Sequence, residues 1–112
     1  MQMVSRLLSA AAMRHRAIAS NIANANTPGY QRLDVAFEDQ FKAALQHGGA
    51  AAAARVEPRV VVDASGPARL DGNNVDPERE LVDVSRNALL YETFARAAAV
   101  KTGILRSAIT GT

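Results

Sequence analysis

The sequence predicts a mainly α-helical chain: long N- and C-terminal helices packing as a coiled-coil-like hairpin, around a short irregular middle segment with a candidate small β-hairpin. Three observations lead there. Apolar residues near each end step by alternating fours and threes, the spacing of one helix face. Asn26-Thr27-Pro28-Gly29 ends the first run and Asp76-Pro77 opens the second. Apolar residues make up 48% of the 112, but only three Phe, two Tyr and no Trp are present. A compact core would therefore be poor in large side chains, and long helices are the better use of so much alanine.

The first run is Val4, Leu8, Ala11, His15, Ile18, Ile22 and Ala25, widened at its start by Met3 and Leu7. It predicts a helix over about 2–25. Asn26-Thr27-Pro28-Gly29 ends it, because proline disfavours the α conformation before it and glycine permits a positive φ. Asp34 is read as the cap of a short second helix carrying Val35, Phe37, Phe41, Ala44 and Leu45 and ending at His47-Gly48-Gly49. Residues 48–54, two glycines and five alanines, read as a linker, the other reading being an extension of a neighbouring helix. Arg59-Val60-Val61-Val62 is a β-branched strand, with Ala68-Arg69-Leu70 as its candidate partner across a turn. Asp76 then supplies an N-cap, Pro77 suits the first helical position, and Glu78 and Glu80 put negative charge at the positive helix end.

From there Leu81, Val84, Ala88, Tyr91, Ala95, Ala98, Thr102, Leu105 and Ile109 form a seam over four heptads. Val82, Leu89, Leu90, Phe94 and Ile104 widen it beyond what one partner helix covers. The chain thus divides into residues 1–33 (helix and turn), 34–76 (middle segment) and 77–112 (last helix). A helix over about 77–109 is roughly 48 Å long, whereas a compact domain of this length is about 34 Å across. The helix outruns the domain, so the terminal helices are expected to complete their burial only against copies or relatives.

Composition excludes several chemistries. With no cysteine there is no disulfide, thiol nucleophile or thiolate zinc site, and His15 and His47 are too few for a histidine metal site. Asp71-Gly72-Asn73-Asn74-Val75-Asp76 faintly imitates a calcium loop, but its glycine is second and Val82 stands where a bidentate Glu is required. No serine sits in a nucleophile elbow, so no catalytic residue, cofactor or small-molecule substrate is expected. Arginines interrupt the N-terminal run, which leaves neither a spanning helix nor a good secretory signal. Residues 1–33 hold Arg6, Arg14, Arg16 and Arg32 without an acid, against nine basic and eleven acidic groups in the rest. Four spaced arginines favour a solvated or acid-paired face over nucleic acid.

Asn21, Asn24 and Asn26 resist so plain a reading, since three poor helix formers cluster just before a Pro-Gly turn. Capping of the helix end and an intersubunit contact both account for them. The stretch Ala19-Ser20-Asn21-Ile22-Ala23-Asn24-Ala25-Asn26-Thr27-Pro28-Gly29-Tyr30 closely resembles the N-terminal signature of bacterial flagellar rod, hook and hook-associated axial proteins. The block from Asp71 to Asp76, followed by Glu80 and Asn87, is similar to that of the proximal-rod members. Ser20 stands where that family commonly has Asn, Gln31 where it has Lys or Arg, and residues 43–70 match nothing in it.

The resemblance implies a structural, non-enzymatic subunit, exported through the flagellar type III apparatus without a cleaved signal. It would polymerise into the periplasm-spanning drive shaft around the export channel, its terminal helices forming the inner layers of a tube. By position, Asn21, Asn24, Asn26, Thr27, Pro28, Gly29 and Tyr30 mark the turn after the first helix, and Asp71, Asn73, Asn74, Val75 and Asp76 the approach to the last. The implied partners are other rod proteins, copies of the chain, the rod-to-ring adaptor and the export gate, with no nucleic acid and no direct membrane insertion. The alternatives are another rod paralogue, which the Asp71–Asp76 block and the lack of a large inserted domain disfavour, and a basic helical nucleic-acid regulator whose binding would fall steeply with salt.

Overall fold

The computed structural model describes residues 2–111 and contains three helices and a two-stranded sheet. The elements are α1 (Gln2–Ala23), β1 (Leu33–Ala36), α2 (Glu38–Ala53), β2 (Arg59–Val62) and α3 (Pro77–Thr110). The molecule is a slab of 63 × 30 × 14 Å. Its radius of gyration is 17.4 Å, well above the ~13 Å of a compact chain this long. That elongation follows from α3, whose 34 residues span about 51 Å at 1.5 Å per residue.

α1 is the middle layer. Ala11, Ile18 and Asn21 are buried on it, and α3 packs antiparallel along this side: Asn21 meets Glu80 near one end, and Asn87 Nδ2 donates to the Ala11 carbonyl at 2.8 Å further along. On the other side Ala10 and Ala17 form a core with Val35 and Phe37, against which Leu7, Met13, Leu33, Phe41 and Val56 pack. Alanine at positions 10 and 17, two turns apart, lets the sheet and the Phe37 ring approach the helix closely. Phe37 and Phe41 stack at a centroid separation of 5.1 Å and fix the start of α2.

The middle segment corrects three expectations. Asp34 does not cap a helix: it lies in β1, because the chain leaves the turn extended and only Phe37 turns it into α2, with no side-chain cap. The partner of Arg59–Val62 is β1, antiparallel with Leu33 opposite Val62 and Ala36 opposite Arg59, and not residues 68–70. Val35 meets the helix on one face of the pleat, so the β1 register is set by burial, a long-range preference that local turn chemistry does not carry.

The Gly-Ala stretch is not a linker either. It continues α2 to Ala53 beyond a kink at Gly49, whose φ of 71° lies in the left-handed region. Ala53 and Ala54 are buried there, and the Ala54 carbonyl accepts from Arg6 Nε at 2.7 Å. Alanine's helix propensity and this anchor outweigh the two glycines. The N-cap of α3 stands as expected, with Asp76 accepting from the Glu78 and Arg79 amides and Pro77 following. Phe37→Ala is expected to destabilise the chain by about 3 kcal/mol and to release α2 from α1, read by urea denaturation and amide exchange of residues 38–53.

Candidate functional site

The two blocks singled out in the sequence fold against each other and make one hydrogen-bonded clasp. Asn21, fully buried in the last turn of α1, accepts the Leu33 amide at 2.7 Å and donates to the Leu33 carbonyl at 2.9 Å. Its side-chain amide behaves as a peptide group and pairs with the returning strand. The same oxygen accepts from the Tyr30 hydroxyl at 3.0 Å, and the same nitrogen reaches Glu80 Oε2 at 3.3 Å. Asn24 donates to the Ser20 carbonyl at 2.9 Å and so satisfies a group the helix end leaves free. Thr27 donates to Asn24 Oδ1 in turn, at 3.1 Å.

From the other side, Asn73 Nδ2 donates to the carbonyls of Asn24 and Thr27, both at 2.8 Å, while its oxygen accepts the Val75 amide. Asn74 Oδ1 accepts the Arg32 amide at 2.6 Å and its nitrogen donates to the Asp63 carbonyl at 2.7 Å. Gly29 and Gly72, both at positive φ, lie face to face, and the Gly29 amide donates to the Asp71 carbonyl at 2.7 Å. A Cβ on Gly72 would stand 3.4 Å from the Gly29 Cα, so the turns touch backbone to backbone. Arg69 bridges them with bonds to the Val75 and Ala25 carbonyls. Asn26 and Pro28 are exposed at the tip of the turn.

Under this clasp lies a buried ionic centre that the sequence did not single out. Glu80, which sequence analysis assigned to the helix dipole, is fully buried, and Arg32 Nε donates to its Oε1 at 2.9 Å. Arg32 Nη1 donates to Asp63 Oδ2 at 2.7 Å, and Asp34 and Asp83 lie at 3.8 and 3.7 Å. Burial works to lower the Arg32 pKa, yet the hydrogen bonds to Glu80 and Asp63 raise it above its ordinary value. The Ser65 hydroxyl and amide, with Arg32, hold the Asp63 carboxyl down to about 2. Beside this centre Arg14 forks onto both Glu38 oxygens and reaches the Val35 carbonyl at 2.9 Å. Burial alone would raise the Glu38 pKa, and the Arg14 hydrogen bond reverses that and lowers it.

The packing seams fall as follows. Along α1, Val4 and Leu8 are half-buried, Ala11 and Ile18 buried, and His15 and Ile22 exposed. Along α3 the residues turned inward are Glu80 and Asn87, seven apart, with Val84, Phe94, Ala95 and Ala98 half-buried. Leu81, Ala88, Tyr91, Leu105 and Ile109 are exposed, as are Val82, Leu89 and Ile104. The single chain therefore uses a stripe that lies partly one residue N-terminal to the heptad seam and shares Val84, Ala95 and Ala98 with it, leaving Leu81, Ala88, Tyr91, Leu105 and Ile109 to solvent. Among the described residues, Asn87 Oδ1 is a buried side-chain acceptor without a partner. No group of three or more acids and histidines there is placed to hold a metal ion, and no helix is long and apolar enough to cross a membrane. Asp71, in the calcium-like loop, accepts the Asn73 amide, and Asp76 caps α3.

A family model described as flagella basal body rod protein matches residues 5–31. The flagellar basal body rod protein FlgB of Aquifex aeolicus is 35% identical over 102 residues, covering 88% of this chain and 82% of the relative. The FlgB of Yersinia enterocolitica is 32% identical over 103 residues, with 77% and 75% covered, and that of Escherichia coli 34% over 102, with 76% and 74% covered.

Two outcomes test the clasp. Asn21→Leu leaves both Leu33 backbone groups without their partner and the Tyr30 hydroxyl with Ser20 Oγ alone, at 2.9 Å, and is expected to cost about 2–4 kcal/mol, measured by urea denaturation. Asp63 has a depressed folded pKa, so its contribution to stability is present above the unfolded value of 3.8 and is lost as pH falls through about 2. Stability is expected to decline over that window, and Asp63→Asn to flatten the decline, read as unfolding free energy against pH.

Proposed function

We propose that this chain, which belongs to the FlgB family of flagellar basal body rod proteins, acts as a non-catalytic subunit of the proximal rod that polymerises through its terminal helices. The observation that carries this reading is the mismatch between the helices. α1 has 22 residues and α3 has 34, so about 18 Å of α3 projects past its partner. All residues from 99 to 111 are exposed, among them Val100, Ile104, Leu105 and Ile109. An apolar helix end of that length is stable in water only when something covers it.

Neighbouring rod subunits supply that cover in this reading. The helix-packing residues for assembly are then the solvent-facing line of Leu81, Ala88, Tyr91, Leu105 and Ile109 together with Val4, Leu8 and Ile22, while Ile18, Val84, Ala95 and Ala98 support the pair from within. Ala11, Ala12 and Ala88 floor the groove between α1 and α3, and such small residues admit another helix at close range. The clasp of Asn21, Asn24, Thr27, Gly29, Tyr30, Asn73, Asn74 and Val75 holds the helix pair at a fixed angle, as a torque-bearing shaft requires. Asn26, Pro28, Asp71 and Asp76, at its surface, are available to neighbours. Other rod proteins, copies of the chain, the rod-to-ring adaptor and the export gate are the partners of this reading, and type III export is the route.

Leu105→Asp places a charge on a residue that is 52% exposed in the single chain. The variant is expected to keep the wild-type circular dichroism and denaturation midpoint while failing to restore motility to a deletion strain. Normal swarming with the variant incorporated in purified basal bodies would overturn the reading.

A further inference from the structure

The two edges of the sheet are finished differently. In an antiparallel pair, alternate residues turn their backbone groups toward the partner strand and away from it. The Asp63 amide donates to the Arg32 carbonyl at 2.9 Å, so in this register residues 32, 34 and 36 bond across the pair to 63, 61 and 59. Leu33 and Val35 therefore point outward on the β1 side, and side chains close that edge. Asn21 binds both Leu33 groups, Arg14 donates to the Val35 carbonyl, and Asp34 accepts the Val35 amide at 2.8 Å. Val60 and Val62 point outward on the β2 side. Among the described residues their outward amides and carbonyls meet no hydrogen-bond partner.

The side chains along this edge are open as well. Val60 stands opposite Val35 and Val62 opposite Leu33, on the face that packs against α1, yet they are 49% and 62% exposed. Open edges are commonly blunted by an inward charge, a bulge or a proline within the strand. β2 has three consecutive valines in an unbroken register, and Pro58 stands ahead of it. On the outer face Arg59 is exposed, as is Arg55 before it, and neither has an ion-pair partner among the described residues. The outer-face carboxylates are engaged: Asp63 by Arg32 and Ser65, and Asp34 by Arg14 and Arg32.

We propose that β2 is a docking edge for an extended segment of a different protein, which adds a third strand beside Val60 and Val62. Only an extended backbone bonds amides and carbonyls spaced along a strand in this way. The side chains set its composition: β-branched apolar residues at alternate positions, to lie beside Val60 and Val62, and a carboxylate on the other face beside Arg59. A second copy of β2 does not fit. Pairing two such edges about Val61 sets Arg59 opposite an Asp63 that Arg32 and Ser65 already hold. A two-fold contact of that kind also closes on itself as a dimer. The inference goes beyond the packing of the terminal helices and makes no use of α3.

Titration of the purified full chain with the peptide acetyl-Thr-Val-Glu-Val-Thr-Val-amide, followed by amide exchange in nuclear magnetic resonance, tests the edge. Saturating peptide is expected to slow exchange at Val60 and Val62 at least ~10-fold and to leave Val61, already bonded to β1, unchanged. Val62→Pro removes an outward donor that the β1–β2 pair does not use, and is expected to weaken binding at least ~10-fold with the urea midpoint retained. Arg59→Glu is expected to reverse the preference, toward the peptide with Lys in place of Glu. No protection by the peptide, or equal protection by its scrambled sequence, overturns the proposal.

In purified basal bodies, residues 57–64 are expected to exchange at least ~10-fold more slowly than in the soluble chain. A photoreactive benzoylphenylalanine in place of Val61 is expected to attach to an alternating β-branched, carboxylate-bearing segment of another protein. Attachment to β2 of a second copy, or fast exchange of β2 in basal bodies that contain the chain, defeats the docking edge and leaves the rod reading standing. A chain absent from the basal bodies defeats the rod reading, and the peptide titration then decides the edge by itself.

Discussion

Everything in this fold answers to the burial of one carboxylate. Glu80 lies in the first turn of α3 with no exposed surface, where an unpaired charge would cost several kcal/mol. Arg32 neutralises it, and Asn21 supplies a second donor. Arg32 can reach Glu80 only if the chain leaves α1, turns back within a few residues and runs extended along the helix. The tight Asn-Thr-Pro-Gly turn and β1 follow from that requirement. A hydrophobic pair in these positions would tolerate sliding of α3 along α1. The ion pair, held by directional bonds from three separate segments, does not, so it fixes the register of the two helices.

The rest of the clasp extends the same economy. The chain has few large apolar side chains, and its buried set is small: Ala10, Ala11, Ala17, Ile18, Val35, Phe37, Ala53, Ala54 and Val75. Side-chain amides do what a larger core would otherwise do. Asn21, Asn73 and Asn74 each pair with backbone groups of a distant segment, satisfying polar groups that the tight turns would bury unpaired. This explains a buried asparagine at position 21, inside a helix whose propensity disfavours it. Within the single chain Asn24 caps its own helix, and Asn21 binds the returning strand.

Much of this was legible in sequence, and the failures share a cause. Both long helices were readable because heptad spacing is local and repeats many times, and the α3 start because Asp76-Pro77 is a complete signal by itself. The middle segment was misread wherever the answer depended on a distant partner. Asp34 looks like a cap until Val35 is seen to pack on Ala10 and Ala17, and glycines 48 and 49 look like a linker until Ala54 is seen to bind Arg6. Arg32 gave no local signal, being one arginine among four in a basic stretch. Glu80 and Asn87 did leave a trace: polar residues seven apart beside an apolar seam are the mark of a helix face that carries specific hydrogen bonds. Taking Glu80 as a dipole partner hid that trace.

The stripe that α3 turns toward α1 and the seam it shows to solvent divide the work of the helix. The inward stripe is polar at Glu80 and Asn87 and specifies geometry; the outward seam is apolar and unspecific, suited to whatever neighbour presents a complementary face. An isolated chain built this way holds its clasp end firmly, where α1, α3 and the turns meet, and holds the overhang weakly, where helical hydrogen bonds stand alone against chain entropy. Stability is thus graded along one axis, from a clasp complete within the chain to a helix end that depends on neighbours. The end that needs assembly most is the end that contributes least to folding, so a substitution there can break the polymer while leaving the monomer intact.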